Sequence, residues 1–459
     1  MLRSHCLIAL AFAAVFAPSA RALDLAEVWR AAAGHDPEFS AARAAHAAGQ
    51  ARRTQAGALW RPSVSLEGGV ALASNETAVR GAQFSAPGFD QTTGVAFDTS
   101  VNNGASGRVA LVLRQPLVSR EREVQQLQLE ISADVADLEW SNAQQALILR
   151  SAERYFDVAL AGEQLRLLVR QQTAVDRAFV EAQDRFRLGD RPITDTYEAG
   201  ARAANLRAQR LAAETGLELK RAALADFTGL ALDGLPLPLP AASPPSDDIG
   251  DLTGWLARAQ EHNPTLRLAE AQLHAAEQEA RKTSAALSPS VDLVAQAGRE
   301  RLAGRGDFGS ASNTSINRAI GVQLTVPLYT GGWRSARQTE AQALVDKAAA
   351  ELERSRQQAT LQTRSAWLEL TVASSQAAAL EAAARASQSR VDATRVGRQV
   401  GDRTTLDLLN AENDAAAAEL TLLQTRARLL TNRLRLDALT GQLDEVRLQR
   451  VNAVLQPSH

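Results

Sequence analysis

One cysteine, one methionine and three tyrosines among 459 residues remove several kinds of chemistry at the outset. The cysteine is Cys6. It falls in a stretch where Arg3 precedes an apolar run over 7–16 and then Pro18, Ser19, Ala20, Arg21 and Ala22. That order is a secretory signal with a small-x-small cleavage site, expected to be cut after Ala22. Cys6 precedes the apolar core and does not stand at the cleavage site, which argues against a lipid anchor. The segment 23–459 then has no thiol, disulfide or Cys-metal chemistry.

Long apolar runs are missing as well. The run over 7–16 is too short for a bilayer of roughly 30 Å, which needs about 20 residues of helix, and nothing after Ala22 is more apolar. A basic surplus is absent: 50 Lys and Arg stand against 52 Asp and Glu, and without Arg3 and Arg21 the count is 48 against 52. Nucleic acid is therefore not an expected partner. No Gly-x-Ser-x-Gly elbow, phosphate-loop lysine or His-Glu-x-x-His is present, and no enzyme activity, cofactor or metal is expected. Gly304, Gly306 and Gly309 spell Gly-x-Gly-x-x-Gly, but between two strand candidates and without the βαβ unit a dinucleotide needs. Lysine is limited to Lys220, Lys282 and Lys347, as codon usage in a GC-rich genome gives.

What is abundant is Ala, Gln, Leu and Arg, a composition of long helices in close contact. The chain is also written twice. His35-Asp36-Pro37 and Pro62-Ser63-Val64 return as His262-Asn263-Pro264 and Pro289-Ser290-Val291, offset by 227. Pro116-Leu117 returns as Pro327-Leu328 at 211. Tyr155-Phe156-Asp157, Gly189-Asp190-Arg191 and Thr228-Gly229 return as Trp367-Leu368-Glu369, Gly401-Asp402-Arg403 and Thr440-Gly441 at 212. The offset changes once, so one hairpin loop is expected to be longer in the first copy.

The first copy runs over 23–234, with strands about 62–73 and 107–117, a long helix about 119–187 and a return helix about 194–228. A Pro-rich linker follows at 235–248. The second copy runs over 249–441, with strands about 289–298 and 319–329, a long helix about 331–397 and a return helix about 404–440, and a tail at 442–459. Strands are read from period two: Val64, Leu66, Gly68, Val70 and Leu72; Val109, Leu111 and Leu113; Val291, Leu293, Ala295 and Ala297; Ile320, Val322, Leu324 and Val326. About ten residues is what a tilted membrane strand requires. The segments 73–106 and 299–317 are expected to be polar loops, with Phe84, Phe89, Phe97 and Phe308 either shaping a mouth or packing there. Helices are read from steps of three and four, as in Val124, Leu127, Ile131, Val135 and Leu138. A Pro-free stretch of nearly seventy residues would span about 100 Å and needs helical neighbours along its length.

Four strands leave two bare edges, which hydrocarbon does not tolerate. Cyclic assembly closes them, and more than two subunits are needed for a water-filled pore. Trp60, Tyr329 and Trp333 flank the strands on the side facing the helices, where they fit either a water-lipid boundary or ordinary packing. Gly189-Asp190-Arg191 and Gly401-Asp402-Arg403 mark the reversals at the far ends of the long helices. Asp195 and Asp407 follow them, as helix-start acids or as something more; Thr404 and Asp407 have capping-box spacing. His35 and His262 read as helix breaks before a proline.

Val326-Pro327-Leu328-Tyr329-Thr330-Gly331-Gly332, the matching Gln115-Pro116-Leu117, the paired Gly-x-Arg turns and the duplicated layout resemble the TolC family of outer-membrane efflux and secretion proteins. The resemblance implies a mainly α fold with a small β part: duplicated long coiled-coil hairpins and four membrane strands per chain, assembled as a trimeric twelve-stranded barrel with a periplasmic helical tunnel. It implies a homotrimer in outer-membrane lipid, a periplasmic adaptor (membrane fusion protein) at the tip turns Gly189, Asp190, Arg191, Gly401 and Asp402, and an inner-membrane transporter of RND or ABC type. It places a periplasmic constriction at Asp407, with Arg403, Thr194 and Asp195 in its closing network. One Asp407 per subunit would ring the tunnel with carboxylates that attract cations. This chain departs from the pattern at Asn410, where a second acid is expected, and at Arg398, where a tyrosine is; Glu198 is the candidate compensation. The alternative is a periplasmic helical adaptor that forms no pore, which would show β-rich domains flanking one hairpin.

If the second strand pair faces lipid as its alternation predicts, Val322→Arg or Leu324→Arg costs roughly 2 to 4 kcal/mol near the midplane. Heat-resistance of the assembled protein on gels checks this; assembly as stable as wild type would refute the orientation.

Overall fold

The computed structural model describes residues 23–190, 192–232, 235–243, 249–285, 288–307, 309–329 and 331–455. The leader 1–22, Arg191, Phe308, Thr330 and the linker residues 244–248 lie outside the described residues. The order of elements is α1 (Leu25–His35), α2 (Pro37–Ala58), β1 (Ser63–Ala86), β2 (Phe89–Ser119), α3 (Arg120–Arg187), α4 (Ile193–Thr228), α5 (Leu252–His262), α6 (Pro264–Ala285), β3 (Ser290–Gly306), β4 (Gly309–Thr325), α7 (Trp333–Gln399), α8 (Thr405–Leu439) and α9 (Glu445–Leu455). The chain divides into two compact units: Met1–His46, Leu138–Leu268 and Leu352–His459 form one, and Ala47–Asp137 with Ala269–Glu351 the other.

The first unit is helical. On α7, Leu352, Ala359, Thr363, Ala366, Leu370, Ala373 and Ala377 are buried at steps of three, four and seven. That is a coiled-coil seam, in which alanine knobs permit close approach. Its largest core joins both copies: Leu25, Val28, Leu147, Tyr155, Leu224, Leu434 and Leu448 are buried together. The duplicated signatures serve one junction. Asp36 ends α1 and offers Oδ2 to the Phe39 N–H at the start of α2, and Asn263 does the same between α5 and α6 with Leu266. Prolines 37 and 264 then open the second helix, where the missing N–H costs nothing. The repeated Thr-Gly pair closes against this corner. A Cβ on Gly229 would meet the His35 ring at 2.8 Å, and one on Gly441 would run into the His262 carbonyl.

The linker is fastened. Buried Tyr155 donates its hydroxyl to the Pro238 carbonyl at 2.9 Å, and its repeat partner Trp367 donates Nε1 to the Gly250 carbonyl at 3.2 Å. Burial, with the Asp24 charge in second place, raises the Tyr155 pKa, so the phenol stays a donor. Between these pins Arg426 reaches the Ala241 carbonyl and Glu381, and Glu381 also accepts from Ser243. The expected tail at 442–459 holds a helix. Leu448, Val451 and Leu455 of α9 are buried, and Asn452 Oδ1 accepts from the Leu25 and Ala26 N–H groups at the start of α1. The signal for α9 is the three-four spacing of those residues behind Asp444, which caps Arg447.

The second unit carries the antiparallel sheet, in the order β1-β2-β3-β4 with β1 and β4 at its edges. The expected loops 73–106 and 299–317 are corrected to strand: β1 pairs with β2 as far as Ala86↔Phe89, and β3 with β4 as far as Gly306↔Gly309. Antiparallel pairing continues through Ser, Thr and Asn residues because backbone bonds carry it. The extra length of the first copy goes into strand too, since β1 and β2 keep pairing beyond Asn102, where β3 stops. Beneath the sheet, Glu279 of α6 binds Gln128 of α3 and Arg337 of α7.

Gly441 sits at φ 65 with a carbonyl in the way, whereas a Cβ on Gly34 meets nothing within 4 Å. Gly441→Ala is expected to cost about 1 to 3 kcal/mol and Gly34→Ala to stay within about 0.5 kcal/mol of wild type, read from the thermal midpoint of the purified protein; equal midpoints would contradict the packing of this corner.

Candidate functional site

The sheet sorts its side chains by register, because directly paired residues of an antiparallel sheet point to the same side. One chemistry occupies one face: Val64 aligns with Leu113, Ala295 and Ile320, and Leu66 with Leu111 and Ala297. Leu293 pairs with Val322, and Val291 with Leu324. On the edge strands these side chains have no cover, with Val70 91% exposed and Ile320 74%, while Leu113, Val291, Leu293 and Ala295 on the inner strands are half-buried. The other face aligns Ser65, Val112, Gln296 and Ala319, then Glu67, Ala110, Gly298 and Asn317, then Gly69, Arg108, Glu300 and Ser315. The sheet coils toward this polar face. Ala110 and Ser106 are buried there, and a Cβ on Gly298 would come within 2.9 Å of the Ala110 Cβ. Gly304 of the apparent nucleotide motif has the same task, since a Cβ there would meet Gly104 at 2.6 Å. An exposed apolar outside and a concave polar inside are the two faces of a membrane barrel wall.

The apolar band runs obliquely. On β1 it extends from Val64 to Leu72, centred on Gly68, and on β4 it is centred on Val322, three rows nearer the helices than Ile316, the residue in register with Gly68. Strands about 4.8 Å apart and tilted by about 40° shift by roughly one residue per strand, so tilt supplies about half of that displacement. At the helix end of the sheet Trp60 is partly buried, donates Nε1 to Gln126 and accepts from Gln115 through its carbonyl. Tyr329 and Trp333 are 88% and 67% exposed.

In the helical unit the two hairpin turns are built alike. Gly189 and Gly401 take φ 78 and 85, and the following Asp190 and Asp402 N–H groups bond back to the Arg185 and Gly397 carbonyls. The aliphatics just before them, Leu188 and Val400, are 83% and 76% exposed. The helices that follow start differently. In α8, Thr404 Oγ1 accepts from the Asp407 N–H, and Asp407 Oδ2 accepts from the Thr404 N–H and hydroxyl, a complete capping box. Those bonds, then the nearby Arg403, hold the Asp407 carboxyl below its usual pKa. Only Oδ2 is engaged, so the charge remains presented. In α4 the cap position is Pro192, not the first helical residue, and it makes no side-chain cap bond.

Arg403 lies over its own helix end, its Cγ 2.7 Å from where a Gly397 Cβ would stand, and approaches Asp402 at 3.9 Å. No ion pair among the described residues joins Arg403 or Arg398 to Asp195 or Glu198. Thr194, Glu198, Asn410 and Arg398 are exposed, and Asp195 is half-buried. Other pairs join these helices. Arg390 bonds Asp414 and Arg395 reaches Glu412 between α7 and α8; Arg207 meets Asp176 between α3 and α4; Thr405 approaches Glu181 from α8 to α3. These were missed from sequence. Only the Arg390–Asp414 pair carries a sequence signal, opposite charges nearly equidistant from the turn glycine at 401.

Uncovered apolar strands on one unit and paired coiled-coil hairpins on the other define a channel-forming membrane protein. The family model described as "Outer membrane efflux protein" matches residues 28–230 and 255–442, and the chain belongs to that family. The two matched stretches start 227 residues apart and end 212 apart, the offsets of the internal repeat. Outer membrane protein TolC of Vibrio cholerae is 26% identical over 449 residues, covering 94% of each chain. Alkaline protease secretion protein AprF of Pseudomonas aeruginosa is 27% identical over 453 residues, covering 96% of this chain and 89% of that one. The outer membrane protein VceC of Vibrio cholerae superposes with TM-score 0.67 at 20% identity over 91% of this chain and 96% of that one. The CmeC outer membrane channel of Campylobacter jejuni gives 0.69 at 14% identity over 94% and 90%. The chain is an outer-membrane channel component of efflux or secretion, and the adaptor alternative is set aside.

Thr404→Ala is expected to speed amide exchange over 405–408 about fivefold, the equivalent of about 1 kcal/mol of lost cap, while Thr194→Ala, which caps nothing, leaves the start of α4 unchanged. Equal protection in both variants would contradict the asymmetry.

Proposed function

We propose that three copies of this chain join β1 of one to β4 of the next in a twelve-stranded barrel whose helices continue as a periplasmic tunnel, and that the tunnel hands small molecules or an exported protein to the cell exterior. The observation that carries this is the pair of bare edges on a sheet whose outer face is apolar across all four strands. A lone sheet of this kind has no stable place in lipid, and eight strands would fill their interior with side chains. Tyr329 and Trp333, exposed at the helix end, anchor the periplasmic boundary, and Trp60 mainly fastens the junction.

The tips narrow the tunnel. Asp407 supplies a carboxylate ring through Oδ1, while Asn410 contributes no charge, so cation preference rests on one ring. Arg390–Asp414, Arg395–Glu412 and Thr405–Glu181 hold the tip closed in place of an Arg403–Asp195 contact. The exposed Leu188 and Val400, with the turns beside them, form the seat of a periplasmic adaptor, which connects the tunnel to an inner-membrane transporter of RND or ABC type. The name of its relative AprF, an alkaline protease secretion protein, favours an exported protein as one cargo class.

Single-channel conductance of the purified protein in a planar bilayer tests this, with discrete cation-selective steps that lose selectivity in Asp407→Ala. A conducting pore whose selectivity the substitution leaves intact would discard the ring; no conductance from folded protein would discard the channel. The depressed Asp407 pKa fixes the sign of the pH dependence. The ring stays ionised as pH falls through the ordinary carboxylate range near 3.9, so selectivity at pH 5 is expected to equal that at pH 7, and a loss between them would contradict the cap-bonded carboxylate.

A further inference from the structure

The register that defines the apolar outer face also puts four arginines on it. Arg299, Arg301 and Arg305 occupy alternate positions of β3 and point to the same side as Leu293 and Ala295, and Arg318 lies on the same side of β4. Arg299 pairs with Ile316, so Arg318 is its diagonal neighbour; Arg301 is two residues along the same strand. Neighbours of this kind stand about 7 Å apart. All four are exposed, and none has an acidic partner among the described residues. The nearby acid Glu300 points to the opposite face, where it accepts from Ser106.

Such arginines are costly in hydrocarbon and have to be answered by something. Their position says by what. From the Val291–Leu324 pair to the Arg299–Ile316 pair is four rows, about 27 Å along the strands and about 20 Å of depth at the usual tilt. An apolar band is about 25 Å tall, so the cluster sits at its rim opposite the helices. The helix-side rows carry no charge on this face and are flanked by the neutral Tyr329 and Trp333. The two rims therefore differ in charge as well as in position.

We propose that Arg299, Arg301 and Arg318 bind the phosphates of an anionic lipid of the outer leaflet, with its acyl chains laid against the apolar rows below. Guanidinium groups suit this because each can bond a phosphate through two N–H groups while its stem stays along apolar surface. A free anion does not account for the site, since apolar rows run directly beneath the cluster. This rests on the barrel orientation proposed above, in which the end away from the helices faces the cell exterior.

The full-length protein in detergent, titrated with lipid A and with its dephosphorylated form and read by native mass spectrometry, tests the assignment. Wild type is expected to prefer the phosphorylated lipid at least about tenfold, the triple variant Arg299→Gln, Arg301→Gln, Arg318→Gln to lose that preference, and the triple Lys variant to keep most of it. A Gln variant that binds as wild type, or a wild type indifferent to lipid phosphate, overturns the proposal. Displacement of lipid A by an equal concentration of inorganic phosphate overturns it in favour of a free-anion site. If the Gln variant does not fold, the two lipids on wild type and the Lys variant decide alone. Conductance of the same preparations reports separately on the barrel, so a conducting protein without the preference refutes the lipid site only.

Discussion

Everything in this structure answers to one constraint: a backbone N–H or C=O group has no partner in hydrocarbon unless another strand or its own helix supplies one. The four strands satisfy one another and leave β1 and β4 open along their outer edges. An aqueous sheet could cover those edges with charge or a loop, but here Val64, Leu66, Val70 and Leu72 extend along β1, fully compatible with lipid. Closure by identical neighbours follows, and with it the requirement that the helices be long, paired and short of side-chain bulk. The alanine seam of α7 meets that requirement.

Duplication supplies the rest of the architecture. The same corner is built twice from Asp36 or Asn263, a proline, and a Thr-Gly pair pressed against the preceding helix end. Tyr155 and Trp367, different residues at one repeat position, both donate to backbone carbonyls, the first to Pro238 in the linker and the second to Gly250 just after it. The copies diverge at the two ends of the molecule's elements: one hairpin of strands is longer, and one long helix returns from a capped start at Thr404 and the other from Pro192.

Much of this was legible in the sequence, for reasons that particular residues illustrate. The membrane rows alternate cleanly because lipid demands it on every second residue. The polar ends of β1 and β2 do not, since both faces there meet water and the alternation of 75–101 loses its contrast, so strand was read as loop. Thr404 and Asp407 announced their capping box because a cap is local. The closing-network role of Arg403 comes from the resemblance and not from any local pattern; within one chain its side chain folds back over the helix end at Gly397. Helix α9 was missed because its meaning lies in Asn452, which completes a helix start more than four hundred residues away.

Cysteine cross-linking tests the closure most directly, because Cys6 is the sole natural cysteine. A cysteine on β1 and another on β4 of the same chain, oxidised in membranes, are expected to give a ladder of one, two and three subunits that ends at a closed covalent trimer. A product confined to the monomer, or a ladder that ends at two or runs past three, would contradict the twelve-stranded barrel.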